Sequence, residues 1–165
     1  MTPRLLHLGS GGMELPFGDV EEITLDIDPH WNPDYVASIT DLGEVGEYDL
    51  TYTCHCLEHV YLHEARQALK EMLRVIKKGG KSIVIVPDLE GINADREELY
   101  EAPCGPICGL DLIYGHSGIV VQNAYMAHKY GYTVDSLKNE FEMAGFSNVS
   151  GTRLMNHSIM VTGEK

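Results

Sequence analysis

The sequence predicts an α/β domain built on a mostly parallel sheet, and three observations carry that expectation. Short apolar runs of strand length end at glycine, proline or acidic residues. A long helical pattern lies between two of these runs, in the strand–helix–strand order of a right-handed parallel crossover. The chain has 165 residues, 44% hydrophobic and 22% charged, which suits one globular core, so residues 1–165 are expected to form a single domain.

Leu5, Leu6 and Leu8 form the first run, which stops at Gly9-Ser10-Gly11-Gly12 and reads as a buried strand ending in a tight turn. Ile23-Thr24-Leu25 is the second, closed by Asp26-Ile27-Asp28-Pro29, where proline cannot continue the ladder. Tyr35-Val36-Ala37 is a weak third strand and Tyr48 to Thr53 a stronger fourth, β-branched and aromatic in character. From Glu58 to Lys78 the apolar positions Val60, Leu62, Ala65, Leu69, Met72, Leu73 and Ile76 recur mostly at helical spacing, and Lys77-Lys78-Gly79-Gly80 reads as the helix stop. Ser82 to Val86 is apolar without alternation, as in a parallel strand covered on both faces, and Pro87-Asp88 ends it. Residues 89–133 lose periodicity apart from a helical patch over Asn93 to Tyr100, and read as a functional excursion. Val134 to Ala144 is helical with Gly145 as its stop, and Val149 to Leu154 with Ile159 to Thr162 predict a closing antiparallel pair. No full helix fits between strands one and two or between two and three.

Composition removes several classes of function. A formal charge of −13 repels a phosphate backbone, so neither nucleic acid nor an anionic membrane is an expected partner. No apolar run is long enough to span a bilayer, and the N-terminal residues enter a strand at once, so a cytoplasmic location is expected. Cys54/Cys56 and Cys104/Cys108 are spaced like buried thiols of a reducing compartment.

Gly9-Ser10-Gly11 lets a ligand approach the backbone, although a plain tight turn explains it as well. Asp26, at the end of the neighbouring strand, can accept hydrogen bonds from vicinal ribose hydroxyls; a solvated turn acid is the alternative. Ile39-Thr40-Asp41-Leu42 offers backbone and carboxylate to an adenine edge, or is a surface turn. Gly12, Met13 and Glu14 break the dinucleotide fingerprint, which disfavours a nicotinamide oxidoreductase. A rival constellation, Cys54, His55, Cys56 and His59 with Cys104 and Cys108, holds enough soft ligands for zinc but lacks the usual Cys-x2-Cys spacing, so no metal is assigned.

Taken in order, Leu6-His7-Leu8-Gly9-Ser10-Gly11-Gly12, Leu25-Asp26-Ile27-Asp28-Pro29, Tyr48-Asp49-Leu50, Leu57-Glu58-His59, Leu73 to Gly80, Val86-Pro87-Asp88, His128 to Thr133 and Ala144-Gly145-Phe146 resemble the class I S-adenosylmethionine-dependent methyltransferases. The likeness covers nearly the whole chain and is greatest to the lean members associated with glycan biosynthesis. It implies a Rossmann-like sheet ordered 3-2-1-4-5-7-6 with the N-terminal helices truncated or missing. It also implies S-adenosylmethionine as cofactor, with Leu8, Gly9, Ser10 and Gly11 against the methionine moiety and Asp26 with Ile27 at the ribose. Ile39, Thr40 and Asp41 would flank the adenine, and Cys54 and His55 the reactive end. The sequence departs from the family at His7, Met13 and Ser38, where an acid, a glycine and an acid are usual.

The expected activity is methyl transfer to oxygen or nitrogen of a small metabolite or glycan precursor, with a non-catalytic cofactor-binding module or partner subunit as the alternative. A hydroxyl acceptor requires a base, and His116, His128, His55 and Asp88 are the candidates, from segments after strands four and five. Missing helices would bare one sheet face, which the excursion or a second copy would cover; a homodimer is expected.

Overall fold

The structure, a computed structural model, describes residues 2–16 and 18–165. Its central sheet runs β3-β2-β1-β4-β5-β9-β8, the expected 3-2-1-4-5-7-6 once the β6–β7 hairpin, which stands outside it, is set aside. β1 (Arg4–Leu8), β2 (Glu21–Asp26), β3 (Tyr35–Val36), β4 (Tyr48–Cys54) and β5 (Ile76–Pro87) pair in parallel. β8 (Ser147–Leu154) and β9 (Ser158–Glu164) add an antiparallel edge.

Every second side chain of these strands faces one side. Leu6, Leu8, Leu25, Val84, Val86, Ile159 and Val161 thereby build one core with α1 (Leu62–Val75) and α4 (Val134–Ala144). On α1 the core stripe is Ala65, Ala68, Leu69, Met72 and Val75, a helical repeat with Glu64 closing the N-terminus on the amide of Tyr61. Burial of Leu69 alone is worth ~1.5–3 kcal/mol. α4 ends as expected, on Gly145 at φ 104.

The first helix is shorter than its periodicity predicts. Leu57–His59 is a separate 3-10 turn, and α1 stops at Val75, where Ile76 is already extended. The lysine–glycine run is therefore not the helix stop but the start of β5. Gly80 lies where a Cβ would meet the Asp49 carbonyl at 2.8 Å, beside an irregularity in the β4–β5 register. Lys165 caps the helix instead, its Nζ donating to the carbonyls of Arg74 at 3.0 Å and Ile76 at 2.9 Å.

Asn93 to Tyr100 is also not helical: Glu98–Ala102 forms β6, paired with β7 (Gly105–Cys108) around a proline–glycine turn that propensity along 93–100 does not reveal. The excursion's helices come later, α2 (Gly109–Tyr114) and α3 (Ser117–Val120). The cysteines are free, and Cys104 is exposed rather than buried, because it sits in that turn.

Among the described residues no helix joins β1 to β2, and only the 3-10 turn Pro29–Trp31 lies between β2 and β3. The sheet face opposite α1 lacks a helical layer there. Near the carboxyl ends of β4 and β5 the excursion closes that side, sharing a cleft with Cys54 and Ile85. No helix of the described residues is long and apolar enough to cross a membrane.

Candidate active site

The glycine bend and Asp26 lie side by side. Parallel pairing sets Leu8 opposite Leu25, and the amides of Gly9 and Ser10 both donate to the Leu25 carbonyl, at 2.8 and 3.3 Å. Gly11 donates its amide to Asp26 Oδ2 at 2.9 Å, while Oδ1 accepts from Asp28 N at the same distance. Each oxygen keeps a lone pair for a hydroxyl donor. Asp26 is nearly buried, so an incoming donor would be bound with little competition from water.

The bend needs glycine. Gly9 has φ 65, and a Cβ there would stand 2.3 Å from Cys56 Sγ. Gly11, at φ 49, has nothing within 4 Å of a Cβ position, so its backbone faces open space. Ile27 is exposed beside Asp26, and Trp31, also exposed, packs over Gly12. Ala37 N donates to the Asp26 carbonyl at 3.0 Å, which brings the Ser38–Asp41 turn to the same rim. In that turn Ile39 faces the core, Ser38 and Thr40 share a 2.8 Å hydrogen bond, and Asp41 accepts from Gly43 N. Open backbone, a buried acid and exposed apolar side chains fit an adenosyl group.

Beside this rim lies a cleft of about 540 Å³ between the ends of β4 and β5 and the excursion. Cys54, His55, Glu58, His59, His116 and His128 contribute its polar wall. His55 follows β4 in the left-handed region at φ 52, a conformation that costs a non-glycine residue on the order of 1 kcal/mol. Its amide is tied to the Ile85 carbonyl at 2.9 Å, and its Nδ1 meets Glu58 Oε1 at 3.3 Å. Its Nε2 lies 3.5 Å from Ser158 Oγ.

Glu58 is 1% exposed and Oε2 has no hydrogen-bond partner. Burial alone would raise its pKa; the hydrogen bond and positive charge of His55, with His59 and His128, outweigh that and hold it below the usual carboxylate range. Burial likewise works against protonation of His55, but Glu58 wins and raises it, whereas for His128 burial dominates and lowers it. His128 arrives from far along the chain because Lys129 N and Tyr130 N both donate to the Glu58 carbonyl, at 2.8 and 3.3 Å.

Of the four base candidates, His55, His116 and His128 reach the cleft. Asp88 does not: it is held by Arg153 at 3.0 Å and accepts from Glu90 N. His116 leaves Nδ1 buried without a partner. The cysteine-rich set does not converge as a ligand group; among the described residues the His, Cys, Asp or Glu group that does is Glu58, His59 and His128. Glu58 was visible only as part of a family-like string, yet His55, Glu58 and His59 stand at an H-x-x-E-H spacing, a signal that points to paired histidines and a carboxylate. Trp31 offered no periodicity to mark it.

The methyltransferase domain family model matches residues 21–84. No curated protein matches the sequence. Among solved structures the chain is similar to a Thermotoga maritima S-adenosylmethionine-dependent methyltransferase, at 16% identity and a TM-score of 0.67, over 99% of this chain and 82% of that one. It is similar to Burkholderia thailandensis 1,6-didemethyltoxoflavin-N1-methyltransferase, solved with bound 1,6-didemethyltoxoflavin and S-adenosylhomocysteine, at 13% and 0.66 over 99% and 71%. The human N-acetylserotonin methyltransferase complex with S-adenosylmethionine gives 14% and 0.65 over 99% and 47%. The chain spans about half the length of several matched proteins, including 50% each of PigF and SibL. The chain therefore has the fold of the class I S-adenosylmethionine-dependent methyltransferases, and residues 21–84 match their methyltransferase domain.

Proposed function

We propose that the chain binds S-adenosylmethionine at the glycine bend and transfers its methyl group to an oxygen or nitrogen of a small metabolite or glycan precursor held in the cleft. The supporting observation is the Gly11–Asp26 contact at 2.9 Å, which joins an open backbone cradle to a buried ribose-binding carboxylate. When bound, S-adenosylmethionine supplies an electrophilic methyl on a sulfonium. Cys54 and His55, where β4 ends between rim and cleft, are assigned to line the passage between donor and acceptor. The walls formed by Ile85, Ile107, Leu112 and Ile119 exclude water and align the reactants, which is most of what an in-line displacement requires. Leu8, Ser10, Ile27, Ile39, Thr40 and Asp41 complete the assigned cofactor site.

His55 is assigned as the base for a hydroxyl acceptor, because Glu58 orients its ring through Nδ1 and leaves Nε2 for the acceptor proton. His116 and His128 line the acceptor rather than receive its proton, and Asp88 anchors Arg153. Titration calorimetry with S-adenosylhomocysteine tests the cofactor site, and incubation with labelled S-adenosylmethionine and a panel of hydroxyl and amine acceptors tests transfer. Micromolar binding with turnover is the expected result. Binding without turnover on any acceptor would reduce the chain to a cofactor-binding module, and no binding would end the proposal. Half-buried Ile83 and Met160, on the face without helices, support a homodimer; a monomer mass by light scattering at micromolar concentration would contradict it.

A further inference from the structure

Methyl transfer by itself gives no reason for two histidines and a buried glutamate to converge at the base of the cleft. Glu58, His59 and His128 place one potential ligand atom each within 4.8 Å of one another. All three line the cleft, so the point between them opens onto the acceptor space.

The hydrogen bonds around the trio leave each of its three side chains one atom free to bind a cation. His128 Nδ1 lies 2.8 Å from the Leu112 carbonyl and His59 Nδ1 lies 3.3 Å from the Ala127 carbonyl. A carbonyl only accepts, so in its neutral form each ring carries its proton on Nδ1, and Nε2 is left as a bare acceptor. Glu58 uses Oε1 on His55, and Oε2 is buried with nothing to bond. An unpaired carboxylate oxygen in the interior costs several kcal/mol unless a cation reaches it. Histidines that donate Nδ1–H to backbone carbonyls are the usual outer support of metal-bound imidazoles, which fixes the tautomer and the ring.

We propose that Glu58, His59 and His128 bind a divalent first-row transition ion of the zinc class, with its remaining positions open to the cleft. Two imidazoles and one carboxylate are the donor set of catalytic zinc sites, which keep a position for water or substrate. A tetrahedral ion at ~2.1 Å holds its ligands roughly 3.4 Å apart, so side-chain rotation closing the trio by about an ångström completes the site. The chain's charge of −13 favours cation uptake. On the methyltransferase reading, on which this role rests, the open position takes the acceptor oxygen. The bound hydroxyl loses its proton to His55 or water, and its oxygen bonds the methyl carbon as the carbon–sulfur bond breaks. The electron pair returns to sulfur.

Equilibrium dialysis of chelator-treated full-length protein against Zn²⁺, with metal counted by mass spectrometry, tests the site independently of turnover. One ion per chain is expected, with affinity at least tenfold weaker in Glu58→Gln, His59→Ala and His128→Ala and unchanged in the exposed-site control His63→Ala. Co²⁺ loading is expected to give visible absorption bands in the wild type that each of the three variants loses. S-adenosylhomocysteine binding, measured on every variant, reports that the fold is intact. Less than about 0.1 Zn²⁺ per chain in the wild type, or wild-type affinity in folded trio variants, overturns the proposal. Zn²⁺ bound without S-adenosylhomocysteine would leave the metal site standing while the cofactor reading failed.

Discussion

The two halves of the sheet prepare for their ligands in different ways. Along β1, β2 and β3 no α-helix intervenes among the described residues, and the rim is made mostly of backbone: amides and carbonyls of Gly9, Ser10 and Gly11, organised by Leu25 and Asp26. Along β4, β5 and β9 the strands lie under α1 and α4, and the cleft at their ends is a side-chain construction in which His55, Glu58, His59 and His128 orient one another. Both halves feed one core, Leu6, Leu8 and Leu25 from the bare half packing with the residues of α1 and α4, but the helical layer belongs to the covered half alone.

Substitutions that strike one half and spare the other test this division. The largest effect is expected in the covered half. Leu69→Ala empties a fully buried position of α1 and should cost about 2–5 kcal/mol in denaturant unfolding, with S-adenosylhomocysteine affinity retained by the folded fraction. In the bare half, Gly9→Ala drives a Cβ into Cys56 and strains a positive φ. It should cost about 1–3 kcal/mol and abolish detectable binding. Asp26→Asn removes the charge that, on the proposed reading, would strengthen a ribose hydrogen bond. Its expected signature is ~10–100-fold weaker S-adenosylhomocysteine binding by calorimetry, a loss of about 1.5–3 kcal/mol, with stability lowered by about 1–3 kcal/mol because the Asn amide nitrogen cannot accept the backbone N–H that one Asp26 oxygen holds.

Glu71 links the halves and should show the smallest effect. It accepts hydrogen bonds from Arg74 and from the Leu42 amide, and those bonds, Arg74 first, hold its carboxyl below the ordinary value of 4.5. A carboxylate lowered on folding contributes stability that is complete above its unfolded value and fades as pH falls through the folded one. Glu71→Gln should therefore lose under about 1 kcal/mol at pH 7 and show a shallower fall in stability below pH 4.5, read by urea unfolding across pH.

Much of the bare half was legible in the sequence, because its devices are local. A glycine bend after a strand, an acid ending the next strand and Pro29 beyond it each announce a turn without reference to distant residues. The short connections likewise foretold the missing helices. The cleft was less legible. Glu58 and His128 are 70 positions apart and meet only because amides 129 and 130 bond the Glu58 carbonyl. The end of α1 is hidden from the sequence for a related reason: Lys77 to Gly80 look like a helix stop locally, but pairing with β4 and the cap from Lys165 pull Ile76 into the strand. The β6–β7 hairpin is equally hidden, because Pro103 to Pro106 fold it back on residues whose apolar spacing suggests a helix.

A crystal structure with S-adenosylhomocysteine bears most directly on the account. It should show the ribose hydroxyls on the Asp26 carboxylate, the homocysteine carboxylate against the Gly9–Gly11 backbone, and the sulfur facing the cleft near His55. A nucleoside bound elsewhere, or a ribose that makes no contact with Asp26, would contradict it.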